Sequence, residues 1–221
     1  MSHDLKLKSY WNNRYETGAI WGEDACPSAV LAQECFREHA VRSVLVPGCG
    51  YGRNSLYLAQ QGFDVVAYDI SDIAIAYAAE QAGRQSLPLN YETGSLFDPA
   101  FLGEKQFDAI YLSNIIHLFM KEQREQVLDI MTSLLKPGGI LAFSVVSIYD
   151  TGNYGKGEEV EPNTFMKHKD KLLHCYDEQE LDDMLKPHYE FLKKCLHTQV
   201  EPDPSGELEE LKLWFVAARR K

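Results

Sequence analysis

The chain has 221 residues, of which 45% are apolar and 25% charged, and a net charge of −11 at neutral pH. That length supports one hydrophobic core without disulfide or metal staples, and the composition is that of an ordinary globular protein. The longest basic block is the terminal Arg219-Arg220-Lys221, so the clustered cations needed for nucleic acid or an anionic membrane surface are missing, and neither partner is expected.

The opening MSHDLKLKSYWNN contains no apolar signal-peptide segment, and no apolar run approaches the length of a bilayer span. Five cysteines (Cys26, Cys35, Cys49, Cys175 and Cys195) form no CxxC pair and are odd in number, which reads as reduced thiols in a cytoplasmic protein. The histidines lack metal-ligand spacing, so no metal site is expected. Residues 1–40 carry Tyr10-Trp11-Asn12-Asn13-Arg14-Tyr15 and Trp21-Gly22, then a helix from Pro27.

From residue 43 onward, strand and helix patterns alternate. A strand at 43–46 precedes a helix at 53–61 that stops at Gly62. A strand at 64–68 precedes a helix at 72–81 closed by Gly83. Strands follow at 89–93 and 107–112. The helix at 121–135 places Val127, Ile130, Met131, Leu134 and Leu135 on one face. Lys136-Pro137-Gly138-Gly139 stops it and leads into an apolar strand at 140–147. Such alternation predicts a parallel sheet covered on both faces, within a single domain spanning 1–221.

Residues 148–174 read as an irregular insertion carrying Tyr149, Tyr154, Phe165 and His168. Long loops in compact domains are usually functional, and this one is expected to cover a substrate site. Asp177-x-x-Glu180 caps a helix running to about Lys186. Strands at 189–200 and 211–218, joined by the turn-rich 201–206, must be antiparallel, because a parallel pair needs a longer crossover.

The most informative segment is Val44-Leu45-Val46-Pro47-Gly48-Cys49-Gly50-Tyr51-Gly52-Arg53-Asn54-Ser55. A strand, a glycine turn and a helix start present backbone N–H groups to a nucleotide-like ligand. A dinucleotide fingerprint beginning at Gly48 would need a third glycine at position 53, where Arg53 stands. A nicotinamide-dependent oxidoreductase is therefore disfavoured. In an open α/β sheet the ligand lies beyond the carboxyl ends of the strands where strand order reverses, which selects the ends of the first four strands.

This segment, with the acidic Asp69 ending the next strand, closely resembles the first motif of class I S-adenosylmethionine (SAM)-dependent methyltransferases. Tyr10–Tyr15, Trp21-Gly22 and Pro27-Ser28 resemble the entry segment of the tellurite-resistance and thiopurine methyltransferase branch. The resemblance implies a three-layer Rossmann-like fold with a seven-stranded, mostly parallel sheet, a reversed last strand and strand order 3-2-1-4-5-7-6. It implies SAM as cofactor and S-adenosylhomocysteine as product. It places Pro47, Gly48, Cys49, Gly50, Gly52 and Asn54 around the ribose and methionine portion, with Asp69 and Ile70 at the ribose. Ser95, Leu96 and Phe97 fall at the adenine, and Ser95 replaces the aspartate common in relatives, leaving Asp98 as a fallback partner for the amino group. Ser113 and Asn114 face the methionine portion. An N-terminal lid puts Trp11, Arg14 and Trp21 over the cofactor, against the alternative that the aromatic residues merely pack a helix on the sheet.

Asp69 also has a plainer reading as a cap of the helix from Asp72, a role open equally to Ser71. His117 is the candidate catalytic base, since histidine titrates near neutrality, although a histidine among apolar neighbours is commonly a packed one. The function implied is in-line methyl transfer to a small acceptor such as a thiol or chalcogen oxyanion, by a monomer or homodimer. The alternative is a SAM-binding sensor or partner-binding protein without methyl transfer.

Overall fold

The computed structural model describes residues 3–168, 171–202 and 206–221, the side chains of His3 and His168 excepted. After α1 (His3–Tyr15) and α2 (Pro27–Glu38), the chain alternates β1 (Ser43–Pro47), α3 (Arg53–Gln60), β2 (Asp64–Asp69), α4 (Asp72–Arg84), β3 (Asn90–Thr93) and β4 (Phe107–Ser113). It continues through α5 (Lys121–Leu134), β5 (Leu135–Val146), the short strands β6 (Glu158–Glu161), β7 (Thr164–His168) and β8 (Lys171–His174), and α6 (Glu178–Leu185). It closes with β9 (Tyr189–Pro202) and β10 (Leu208–Arg220).

Seven strands form one sheet in the order β3-β2-β1-β4-β5-β10-β9. Every neighbouring pair from β3 to β5 is parallel, whereas β10 runs antiparallel to both β5 and β9. This is the methyltransferase arrangement with one reversed strand, and the strand order matches the one the resemblance implied. Order reverses between β1 and β4, so the crevice opens above the carboxyl ends of those two strands.

The sheet is covered on both sides because its central strands are apolar on both faces. In β1, Leu45 enters a core with Ile110, Leu112, Met131, Phe143 and Leu181, beneath α5 and α6. Val44 and Val46, pointing the other way, meet Phe36, Leu58 and Phe215 under α2 and α3.

Several boundaries differ from the sequence reading. Gly83 does not close α4. It keeps ordinary helical backbone, and the chain turns three residues later, where Ser86 takes φ +54° and Leu87 N–H donates back to Ala82 C=O. Leu135 leaves α5 to pair at once with Phe107, so Lys136–Gly139 is an irregular opening of β5 rather than a free turn. The terminal hairpin is longer than its apolar stretches: Glu201 and Pro202 belong to β9, and 203–205 of the expected turn lie outside the described residues.

The expected irregular insertion instead contains a three-stranded antiparallel sheet, β6-β7-β8. Glu158-Glu159-Val160-Glu161 shows no apolar alternation, which hid its strand. The small sheet is fixed by Phe165 and Leu173, which pack with Val146, Leu211 and Leu213. It is fixed also by a buried polar cluster. His174 shares a hydrogen bond with Thr164 Oγ1 (2.8 Å), and its Nε2 lies 2.9 Å from Glu180 of α6. Arg124 of α5 lies 3.6 Å from Glu161 and 3.7 Å from Glu180 and donates to Phe119 C=O.

Gly52 closes the glycine turn at φ +93°, where a Cβ would fall 2.7 Å from the Tyr91 hydroxyl and 2.9 Å from Ala78 Cβ. The left-handed backbone alone costs a non-glycine residue about 1–2 kcal/mol. Gly52→Ala is expected to destabilise the fold by about 2–3 kcal/mol in urea unfolding with an unchanged m value. A loss under about 0.5 kcal/mol would show that the turn tolerates a side chain.

Candidate active site

A cavity of about 190 Å³ opens above the carboxyl ends of the strands. It runs from Gly94–Phe97 after β3, past Asp69 and the glycine turn, to Ser113 and Asn114 at the end of β4, and on to Val146, Leu173, Glu201 and Leu211. Trp11, Arg14, Tyr15 and Trp21 form part of its wall.

Asp69 is the electrostatic centre. Its Oδ2 accepts from Gly50 N–H (2.8 Å) and its Oδ1 from Ser71 N–H (2.9 Å). Burial pushes its carboxyl up to about 6, against the lowering effect of the hydrogen bonds from Ser71, Gly50 and Ile70. Each oxygen keeps acceptor capacity beyond these bonds, and two oxygens on a cavity wall suit a vicinal diol. The α4 cap is Ser71, whose Oγ accepts from Ala74 N–H (3.1 Å), so Asp69 is not spent on capping the helix.

The glycine turn brings its backbone to the carboxylate. A Cβ on Gly50, at φ +54°, would stand 2.8 Å from the Tyr15 hydroxyl, so the cover from α1 rests directly on this residue. Burial, then the nearby Asp69 charge, hold the Tyr15 phenol well above its ordinary range and keep its hydroxyl a donor.

Of the residues expected at the cofactor, Trp11, Arg14, Trp21, Gly48, Cys49, Gly50, Asn54, Asp69, Ile70, Ser95, Leu96, Phe97, Ser113 and Asn114 all line this cavity, as does His117. Pro47 and Gly52 do not. Pro47 is paired in the sheet beside Tyr68, and Gly52 is turned toward Tyr91 and Ala78 behind the loop. Asp98 is also outside: it is exposed and its Oδ1 accepts from Ala100 N–H, closing a turn of its own. Ser95 Oγ accepts from Phe97 N–H (3.2 Å) and retains its own O–H. Asn114, at φ +56°, has a buried Oδ1 with no hydrogen-bond partner among the described residues.

His117 is buried, and its Nδ1 accepts from Val146 N–H at 3.4 Å. Burial, with Lys171 and His174 nearby, pushes its imidazole down to about 3, so it is neutral throughout the physiological range and a weak base. From the insertion, Asn153, Lys171 and Leu173 reach the cavity, whereas Tyr149 packs on Trp214 and Tyr154 on Phe165.

The N-terminal aromatic residues pack on the loop and line the cavity at once. Trp11 stacks near Tyr15 (centroids 5.8 Å apart), Trp21 stacks on Tyr51 (6.4 Å), and Arg14 lies 5.8 Å over Trp21. Asn12 bridges Ser71 and Asp72 with two 2.7 Å bonds, fixing α1 to the start of α4.

Arg53 has a role that its reading as a missing glycine did not contain. Its guanidinium donates to Trp21 C=O and pairs with Glu201 (3.3 Å), both side chains being largely buried. It thereby ties the cover to the terminal hairpin. Glu201, Glu209 and Leu211 were not among the expected site residues, because only sheet pairing brings β9 and β10 here.

The donor set suits a nucleoside-bearing cofactor. Asp69 would take the ribose hydroxyls, the carbonyl oxygen of Asn114 an amino group, Arg14 a carboxylate, and Leu96 and Phe97 a planar base. Among the described residues no group of three His, Cys, Asp or Glu side chains is arranged to hold a metal ion.

A reversed-strand doubly wound sheet with a buried acid beside a G-x-G-x-G turn defines the class I methyltransferase fold. Residues 44–139 match the family described as a methyltransferase domain. The chain is 32% identical over 119 residues to the probable S-adenosyl-L-methionine-dependent methyltransferase TehB of Haemophilus influenzae, across 54% of this chain and 38% of that protein. It is 28% identical to thiopurine S-methyltransferase of Vibrio atlanticus, across 59% and 66% of the two chains. It thus spans well under two thirds of the TehB relative. Among solved structures, the Burkholderia thailandensis 1,6-didemethyltoxoflavin-N1-methyltransferase, determined with S-adenosylhomocysteine bound, superposes with a TM-score of 0.69 at 21% identity, covering 99% of this chain and 87% of that one.

Two pH effects follow. Protonating Asp69 would remove an acceptor from any ribose hydroxyls placed on it, so if Asp69 takes the ribose, SAM affinity should fall as pH drops from 7 to 5, with its inflection near 6. In Asp69→Asn the calorimetric profile over that range should be flat. His117 acts on stability. The unfolded chain binds a proton at this residue below about pH 6.5, while the folded chain resists it down to about 3, so stability is lost as pH falls through that window. The slope of unfolding free energy against pH should be shallower in His117→Gln than in the parent protein.

Proposed function

We propose that this protein is a SAM-dependent methyltransferase acting on a small-molecule acceptor. The observation that carries the reading is the Asp69 carboxylate, fixed by Gly50 and Ser71 on the wall of a covered cavity. The matched family and the relatives support it. When bound, SAM supplies a methyl group already activated by its sulfonium centre.

The chain's own residues supply position and exclusion. Asp69 holds the ribose, Ser113 and Asn114 orient the methionine end, and Trp11, Tyr15 and Trp21 keep water out. Aligning two reactants for in-line displacement is worth about 7–11 kcal/mol in favourable cases, so positioning is a sufficient catalytic device. The neutral, weakly basic His117 fits an orienting role better than proton abstraction, and an acceptor already anionic, such as a thiolate, needs no base. The insertion closes the acceptor side. Reduced cysteines fit a cytoplasmic setting, and the acidic chain fits a small substrate rather than nucleic acid.

Calorimetry should show SAM binding to the parent protein and a loss of about 100-fold in Asp69→Ala, from two hydrogen bonds to a charged acceptor at about 1.5 kcal/mol each. Release of S-adenosylhomocysteine in a screen of thiols, amines, phenols and chalcogen oxyanions separates an enzyme from a SAM sensor. Unchanged SAM affinity in Asp69→Ala would end the assignment.

A further inference from the structure

The far half of the cavity differs from the half that suits the cofactor. Val146, Leu173 and Leu211 form an apolar floor there, all three belonging to one hydrophobic cluster. Among the described residues, the charged groups lining the cavity are Arg14, Arg53, Lys171, Asp69, Glu201 and Glu209, three of each sign. Arg53 is committed to Glu201, and Arg14 lies over Trp21. Asp69 faces the glycine turn at the opposite end. Lys171 has no ion-pair partner within 4.0 Å among the described residues. It stands at the cavity rim on β8, next to the apolar floor. Lys167, the neighbouring cation of the insertion, donates to Asn153 Oδ1, which leaves Lys171 as the uncommitted cation of this end among the described residues.

Charge balance extends the argument. SAM carries a sulfonium, an ammonium and a carboxylate, a net of one positive charge at neutral pH. A cavity whose lining is balanced therefore becomes positive once the cofactor is bound, in a chain that is otherwise strongly acidic. Desolvation, with Lys167 and Arg14 nearby, already holds the Lys171 amine below the usual lysine range, against the opposing pull of Glu209 and Glu201. A negative group docked on Lys171 relieves this. An inorganic oxyanion would leave the apolar floor unused, whereas an organic body would cover it.

We propose that the methyl acceptor is a small organic anion whose negative group pairs with Lys171 and whose apolar body lies on Val146, Leu173 and Leu211. Lys171 is then the residue that selects acceptors by charge. The inference rests on the methyltransferase reading and adds the substrate class to it.

The test uses the full chain saturated with S-adenosylhomocysteine and three near-isosteric probes: benzoate, benzamide and benzamidine. Titration calorimetry should show benzoate binding about tenfold more tightly than either of the others, with the preference shrinking as salt is raised. Lys171→Met should bring benzoate to the level of benzamide, Lys171→Arg should restore it, and both variants should bind S-adenosylhomocysteine like the parent. Equal binding of the three probes, no binding of benzoate, or an unchanged benzoate preference in Lys171→Met would overturn the proposal. So would a loss of S-adenosylhomocysteine binding in Lys171→Met, which would assign the lysine to the cofactor. Failure of the parent protein to bind S-adenosylhomocysteine at all would instead remove the methyltransferase reading beneath it.

Discussion

A buried carboxylate must have its charge answered, and the structure around Asp69 is organised by that requirement. Backbone N–H groups answer it, chiefly one from the glycine turn after β1 and one from the start of α4. Both depend on backbone placement. Gly50 can approach because it has no side chain, and Ser71 is placed by its own capping bond to Ala74. The parallel pairing of β1 with β2, Pro47 opposite Tyr68, carries the two loops to one edge. The carboxyl is left well above its ordinary range, so the site is incompletely compensated. Hydroxyl groups of a ligand would complete the compensation.

The cover over this site is held by different forces from the core. Helix α1 has no wide apolar stripe to bury against the sheet. It is attached by aromatic contacts among Trp11, Tyr15, Trp21 and Tyr51, by the Asn12 bridge, and by a Lys8–Asp72 pair at 3.2 Å. Aromatic pairs contribute about 0.5–1.5 kcal/mol each and an exposed ion pair less. Such a segment is expected to open locally at a cost far below that of unfolding the core.

Much of the fold was legible because its signals are local. Val44-Leu45-Val46 buried on both faces, the amphipathic spacing of Val127, Ile130 and Met131, and the Asp177 cap each sit within a few residues of one another. The meeting of the glycine turn with Asp69 on one cavity wall was legible for the same reason: both are strand ends, and topology places strand ends together. Lys171, Glu201 and Glu209 were not legible, since their neighbourhood is created by β8 and a hairpin that carry no cofactor motif. The strand at Glu158–Glu161 was hidden because its register is set by Phe165 and Leu173 on its neighbours' account, not by its own composition. Arg53 shows the limit most clearly. Its identity argued against a dinucleotide fingerprint, yet its partners, Trp21 and Glu201, lie far away on either side of it in the chain.

The Arg53–Glu201 contact joins residues 148 positions apart, and Asn12 reaches Ser71 across 59. A ribosome-bound chain that has exposed Trp11, Tyr15 and Trp21 must therefore wait for β9 to emerge before the cover gains its Arg53–Glu201 anchor. A chain stalled before β9 would present the glycine turn and Asp69 without the hairpin that lines the far end of the cavity, so a finished pocket is itself a sign that β9 and β10 have been made and paired.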